Sequence, residues 1–281
     1  MNSMIRGSCP IGQCFLRKSL LGILLLAAAV IGFGTASPAQ QGQSSGTPQL
    51  LDDLVTANRI LATEGVLDGY GHVSARSDKD PNRYYLSRSL APDLVEAGDI
   101  MEFDLDSKPA DPQGRTSYIE AFIHGEIYRA RPDVKAVIHT HSPALIPFGV
   151  TSVPLRPIYT MGAFIGEGVP IFDIRSVTSE TTDLLIRNAA LGRALAQSLG
   201  NRGAALMRGH GAVVVGPSLQ DAVGRSVYLQ INAALQLQAI MLGTLGGPVQ
   251  YLDADEARKL ETIPNRYLRA WEMWKRKAMG K

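Results

Sequence analysis

Apolar residues recur at three- and four-residue spacing along some stretches of the chain and alternate with polar ones along others, which divides it into helices and strands. Leu51, Leu54, Val55, Ile60 and Leu61 make one stripe over residues 48–64, a helix ending before Gly65. Gly69-Tyr70-Gly71 opens a strand through His72-Val73-Ser74-Ala75-Arg76, and Tyr84-Tyr85-Leu86-Ser87 reads as its pair across a Pro81-Asn82 turn. Ile100-Met101-Glu102-Phe103-Asp104-Leu105 alternates as a strand, followed by a Pro- and Gly-containing loop over residues 107–115. Residues 118–131 predict a helix with Ile119, Phe122, Ile123, Ile127 and Ala130 on one stripe, Arg129 and Arg131 in its last turn, and Pro132 as a stop.

The β-branched run Val137-Ile138-His139-Thr140-His141 predicts the next strand. Beyond it come a short helix over 143–150, an irregular stretch over 154–168 carrying Arg156, Tyr159 and Met161, and a strand over 169–172. An amphipathic helix is expected over 181–199, a strand pair over 204–215 broken at Gly209-His210-Gly211, and a long helix over 219–242. Residues 253–277 read as helical, with Tyr267, Trp271 and Trp274 as a packing stripe against the body or a neighbouring subunit. Strands interleave with helices throughout, so an α/β sheet layered by helices is expected.

The amino terminus changes the picture. Arg6, Arg17 and Lys18 precede an uncharged run over 19–36 and then Ser37-Pro38-Ala39, the grammar of a secretory signal. Residues 1–39 are therefore expected to be a signal peptide, with cleavage after Ala39 or after Ala36, and residues 40–50 a flexible Gln/Gly/Ser tether. An uncleaved membrane anchor is the alternative. Cleavage would place residues 51–281 outside the cytoplasm, in the periplasm, with no membrane contact. Cys9 and Cys14 would leave with the signal, which removes disulfides, thiolate ligands and cysteine nucleophiles from the mature chain. The formal net charge of +2 belongs to the same segment: without Arg6, Arg17 and Lys18 the chain has 25 basic against 26 acidic side chains. Nothing argues for nucleic acid as a partner. The remaining residues, 45% apolar and 19% charged over the full chain, fit one domain of ordinary composition.

Candidate chemistry centres on Glu120, His139 and His141. On a strand, residues two apart project from the same face with their Cα atoms about 7 Å apart, which suits two ligands of one metal. His210, between two glycines at the mouth of Ala212-Val213-Val214-Val215, is a third imidazole. Three neutral imidazoles with an open fourth position make a catalytic zinc site, and hold other divalent ions too. By spacing alone, a structural or solvated His-x-His remains an equal alternative. His72 and His124 complete the chain's five histidines, and His124 is expected to make a structural hydrogen bond on its helix.

In combination, Glu120, the helix ending in Arg131-Pro132-Asp133, His139-x-His141 and the later Gly209-His210-Gly211 resemble the class II aldolase/adducin family over residues 51–242. The resemblance implies a three-layer α/β/α sandwich with a mostly antiparallel central sheet, assembled as a homotetramer with sites at subunit boundaries. It also implies His139, His141 and His210 as ligands of one divalent ion, zinc or else manganese, iron or cobalt, and Glu120 as a metal ligand or proton-transfer group. Where sugar-phosphate aldolases of that family cradle a phosphate, this chain has Gly71-His72-Val73-Ser74, Ser87-Arg88-Ser89 and Tyr118-Ile119.

Those departures replace small hydroxyl donors and point instead to a carboxylate held by Arg88 and His72. Ser87, Arg88, Ser89, Tyr118 and Tyr159 are accordingly the expected substrate-binding residues, and Glu120 and His72 the catalytic ones. Together with Pro81-Asn82-Arg83, residues 99–104 and Pro147-Phe148-Gly149-Val150, the same runs are similar to the branch that decarboxylates hydroxylated aromatic acids such as dihydroxyphthalate. The expected function is metal-dependent carbon–carbon cleavage with loss of CO₂ from a small hydroxy-aromatic or related oxo acid. The alternatives are an aldolase acting on a non-phosphorylated hydroxy-oxo acid, and a non-catalytic adducin-like binding module.

Overall fold

Strands that are buried on both sides need helices on both faces, and the computed structural model, which describes residues 47–178 and 181–280, is built this way. The leader expected over 1–39 and most of the tether lie outside the described residues. The elements run α1 (Thr47–Thr63), β1 (His72–Arg76), β2 (Arg83–Ser87), β3 (Ile100–Asp104), α2 (Ala121–Ala130), β4 (Ala136–Thr140), α3 (Ile146–Gly149), β5 (Ile171–Phe172), α4 (Ala189–Leu199), β6 (Ala204–Met207), β7 (Gly211–Gly216), α5 (Leu219–Gly246), α6 (Ala254–Glu261) and α7 (Leu268–Ala278). Helix α1 therefore starts at Thr47, inside the segment expected as tether. No helix among the described residues is long and apolar enough to cross a membrane.

The seven strands form one sheet in the order β3-β2-β1-β4-β7-β6-β5. Its pairings are antiparallel except at one edge, where β5 runs parallel to β6, so the sheet is mixed. Alternation sorts the strand residues between the two faces. Leu86, Val137, Ala205, Val213 and Val215 pack with Ile123, Ile127 and Tyr128 of α2 and Leu195 and Leu199 of α4. On the other face Val73, Ala75, Ala136 and Ile138 pack with Leu54, Ile60 and Leu61 of α1, Val223 and Val227 of α5, and Trp271 and Trp274 of α7. This is the three-layer α/β/α sandwich expected from the resemblance. Tyr267, Trp271 and Trp274 are all buried against the body, as a packing stripe should be.

Three predicted helices depart from the bounds their periodicity suggested. Over 181–199 only Ala189–Leu199 is helical: Asn188 caps its start by accepting the Leu191 N–H, and Leu184 sits at φ 69°. The helical segment over 253–277 is two helices, separated where Pro264 removes a donor and Asn265 turns left-handed at φ 53°. The helix expected from residue 118 begins at Ala121, with Glu120 at its N-cap position.

Candidate active site

Antiparallel register places His72 of β1 directly opposite His139 of β4, and β7 lies on the other side of β4. The tight turn from β6 into β7 carries His210. Its glycines are both required: Gly209 sits at φ 65°, and a Cβ on Gly211 would come 2.0 Å from the Thr140 carbonyl oxygen. Glu120, at the mouth of α2, does not cap its own helix and directs its carboxylate to the same end of the sheet. One ligand atom from each of Glu120, His139, His141 and His210 falls within 4.8 Å of the others.

Each imidazole is oriented through Nδ1. His139 Nδ1 donates to the Ala212 carbonyl at 3.2 Å, His141 Nδ1 to the Asp68 carboxylate at 3.1 Å, and His210 Nδ1 to the Leu184 carbonyl at 2.9 Å. All three Nε2 atoms are thereby left as lone-pair acceptors aimed inward. Glu120 Oε1 accepts the Ile186 N–H at 2.8 Å, and Oε2 lies 3.5 Å from His139 Nε2 and 3.4 Å from His210 Nε2.

Burial acts to raise the pKa of Glu120, but the His139 and His210 rings beside its Oε2 outweigh it and hold the carboxyl well below its ordinary range. Burial lowers His139 against the pull of Glu120. For His210 burial acts downward too, and the neighbouring carboxylate more than offsets it, so its pKa is raised.

Of the other expected residues, His72 is wholly buried, its ring centroid 5.0 Å from that of His139 and 4.5 Å from that of Tyr118. The Tyr118 hydroxyl shares a hydrogen bond with Ser87 Oγ at 3.2 Å and donates to the Leu90 carbonyl, so residues 87–90 wall the same space. Arg88 Nε donates to Asp99 Oδ1 at 2.6 Å, while Nη1 and Nη2 have no hydrogen-bond partner among the described residues. Ser89 is exposed in the same loop and ties its N–H to the Thr116 carbonyl.

Tyr159 is not brought to this group within the chain. Asn232 and Gln236, buried on α5, hydrogen-bond to the backbone of Pro154, Arg156 and Ile158 and draw that stretch onto the helix. Tyr159 therefore packs edge-on to Tyr228 at 6.5 Å, and Arg156 stacks over Tyr251. Asp68 is a site residue that the sequence reading missed. Its only local signal is an acidic residue two positions before a Tyr-Gly turn, whose N–H groups it accepts at 2.9 and 3.0 Å. The Leu184 carbonyl and Ile186 amide, also missed, carry no side-chain signal at all.

Residues 52–237 match the Class II Aldolase and Adducin N-terminal domain. The chain belongs to that family. Among characterised relatives it is 36% identical to the decarboxylase tropJ of Talaromyces stipitatus over 79% of this chain and 91% of that one. It is 32% identical to a 3,4-dihydroxyphthalate decarboxylase of Arthrobacter keyseri, over 68% of this chain and 78% of the relative. In fold it is similar to an aldolase II superfamily protein from Pseudomonas syringae, with a TM-score of 0.68 at 23% identity over 83% of this chain and 92% of the other.

Class II aldolases use a divalent metal, and the donors of this family member fit one. His139 Nε2 and His141 Nε2 face each other at 3.0 Å although both present lone pairs, an arrangement that a cation between them makes favourable. The buried Nε2 of His210 has no hydrogen-bond partner. A ligand set of three neutral imidazoles and one carboxylate suits a borderline divalent ion such as zinc.

Proposed function

We propose that this class II aldolase-family chain is a metal-dependent carbon–carbon lyase that removes CO₂ from a small hydroxy-aromatic or related oxo acid. The observation that carries it is the convergence of Glu120 with three imidazoles whose Nδ1 atoms are already committed elsewhere. The substrate class is supported by the decarboxylases among its relatives. His139, His141, His210 and Glu120 would hold the ion, with zinc the proposed species. A divalent ion held there supplies positive charge to stabilise the electron pair left when the carbon–carbon bond breaks.

The chain's own groups supply the rest. With Asp99 fixed on its Nε, the Nη edge of Arg88 is available for a two-pronged hydrogen bond to a substrate carboxylate. The Tyr118 and His72 rings, packed 4.5 Å apart between centroids, form a wall that excludes water from the reacting carbon. Glu120, whose carboxylate lies beside the imidazoles at the same end of the sheet, is the proposed proton carrier, taking a substrate hydroxyl proton and returning it to the carbon that lost CO₂. We propose further that the apolar amino-terminal run directs export to the periplasm and that the working form is a homotetramer.

Elemental analysis of the purified chain, paired with CO₂ release from dihydroxyphthalate-type acids, tests the main proposal. One divalent ion per chain is expected, lost in His139→Ala together with at least about a hundredfold of the activity, the scale of removing a major electrostatic contributor. A folded parent without metal would overturn it, and an aldehyde fragment in place of CO₂ would assign aldol cleavage instead.

A further inference from the structure

Behind the site runs a buried chain of four side chains. His72 Nδ1 meets His124 Nε2 at 2.7 Å, His124 Nδ1 meets Ser74 Oγ at 2.6 Å, and Ser74 Oγ meets the Tyr128 hydroxyl at 2.8 Å. His72, Ser74, His124 and Tyr128 are each at most 1% exposed. A neutral imidazole carries one N–H, and a hydroxyl carries one O–H and two lone pairs, so a fully paired chain points one way or the other; the mixed arrangement, with Ser74 accepting from both neighbours, leaves the buried Ser74 proton without an acceptor among the described residues.

The Tyr128 end decides which. Its hydroxyl has no other hydrogen-bond acceptor among the described residues; the other group beside it is the Val137 amide, which is itself a donor. If Ser74 donated to Tyr128, the phenolic proton would be buried without an acceptor, a costly arrangement. Tyr128 therefore donates to Ser74, Ser74 to His124 Nδ1, and His124 Nε2–H to His72 Nδ1. The proton of His72 is left on Nε2, which has no partner among the described residues, lies on the side of the ring away from His124 and is not sealed from solvent, so a water or a bound ligand can accept it.

We infer that His124, Ser74 and Tyr128 are positioning residues that lock His72 in its Nε2–H tautomer, making it a fixed neutral hydrogen-bond donor to an anionic oxygen of the substrate. Proton transfer to carbon is thereby left to Glu120. The nature of the oxygen rests on the decarboxylase reading above; the tautomer does not. The three ligand histidines have the opposite tautomer, protonated on Nδ1 and bare on Nε2, so the site separates electron-pair donors from a proton donor among four imidazoles on one sheet end.

Nitrogen-15 NMR of the zinc-loaded full chain, with the five histidines assigned by single substitutions, reads this directly. The expected spectrum shows His72 protonated at Nε2 and unprotonated at Nδ1, with His124 in the same tautomer; a His72 protonated at Nδ1 overturns the inference whatever the chain catalyses. In His124→Leu the lock is gone, and signals of both His72 tautomers are expected with the zinc retained. An unchanged single tautomer in that variant would remove the positioning role. Kinetically, His72→Asn keeps an N–H donor and should retain kcat within about tenfold of the parent, while His72→Ala loses about a hundredfold or more. Equal losses in the two variants would make His72 an acid–base group and reject the donor role. A parent that releases no CO₂ would reject the decarboxylase reading alone, since the NMR result stands apart from it.

Discussion

His124 shows what burial does to a titratable group when the nearby carboxylate is too weak an influence to offset it. Desolvation drives its pKa down to about 3, with the nearby His139 adding in the same direction. Folded, it stays neutral over a range where the unfolded chain, with an ordinary value near 6.5, takes up a proton. Its contribution to stability is therefore complete above about pH 6.5 and drains away as pH falls toward about 3. His72, lowered chiefly by burial, acts in the same sense, and His210, raised by Glu120, acts in the opposite one. Subtracting the pH dependence of His124→Gln from that of the parent isolates the His124 contribution. Urea denaturation between pH 6.5 and 4.5 should show the parent losing up to about 1.4 kcal/mol per pH unit more than the variant. Parallel curves would mean that the ring is charged or solvated in the folded state. Of the residues at this scale, the four metal-ligand candidates were legible because their types are chemically rare and their spacing matched a known pattern. Asp68 was not, since an acidic residue beside a turn is common and only its contact with His141 gives it a role.

Elements were legible where local pattern and packing agree. Strand β4 is a β-branched run buried along its whole length, and His139 on it and His141 just beyond it reach the site at the end of the sheet, between β1 and β7. The helix predicted over 181–199 failed in its first half for a tertiary reason. The Leu184 carbonyl and Ile186 N–H, which a helix would have used internally, are taken by His210 and Glu120 from elsewhere in the chain. Backbone of this kind has no sequence period to read. The turn into β7 is the counterpart case, since two flanking glycines announce it and the packing shows why. Gly211→Ala would force a methyl group against the Thr140 carbonyl inside a sheet that cannot move aside. A loss of about 1–3 kcal/mol in urea denaturation is expected, the range for overpacking a well-filled interior. Stability equal to the parent's would show that β4 and β7 can separate locally.

At the scale of the whole molecule, the four ligand candidates come from the start of α2, the end of β4 and the turn into β7, and His210 reaches on to the 181–188 segment. An ion binding all four holds these parts together only when the chain is folded. Chelation should therefore lower the thermal midpoint, and restoring zinc at a hundredfold over its Kd should return about 2.7 kcal/mol. No shift in a calorimetric scan with and without chelator would mean that the ion, if bound, is not linked to folding. The sequence by itself determined the layered α/β class, most element positions, and the histidines and carboxylate of the site, because periodicity and rare residue types are local properties. Only the tertiary structure decided that Tyr159 packs against Tyr228 of α5 within the chain, that Asp68 and two backbone groups orient the imidazoles, and that His72 is backed by a buried file of hydrogen-bonded side chains. Those facts depend on which distant segments meet, and a hydrogen bond between residues fifty positions apart leaves no period in the chain.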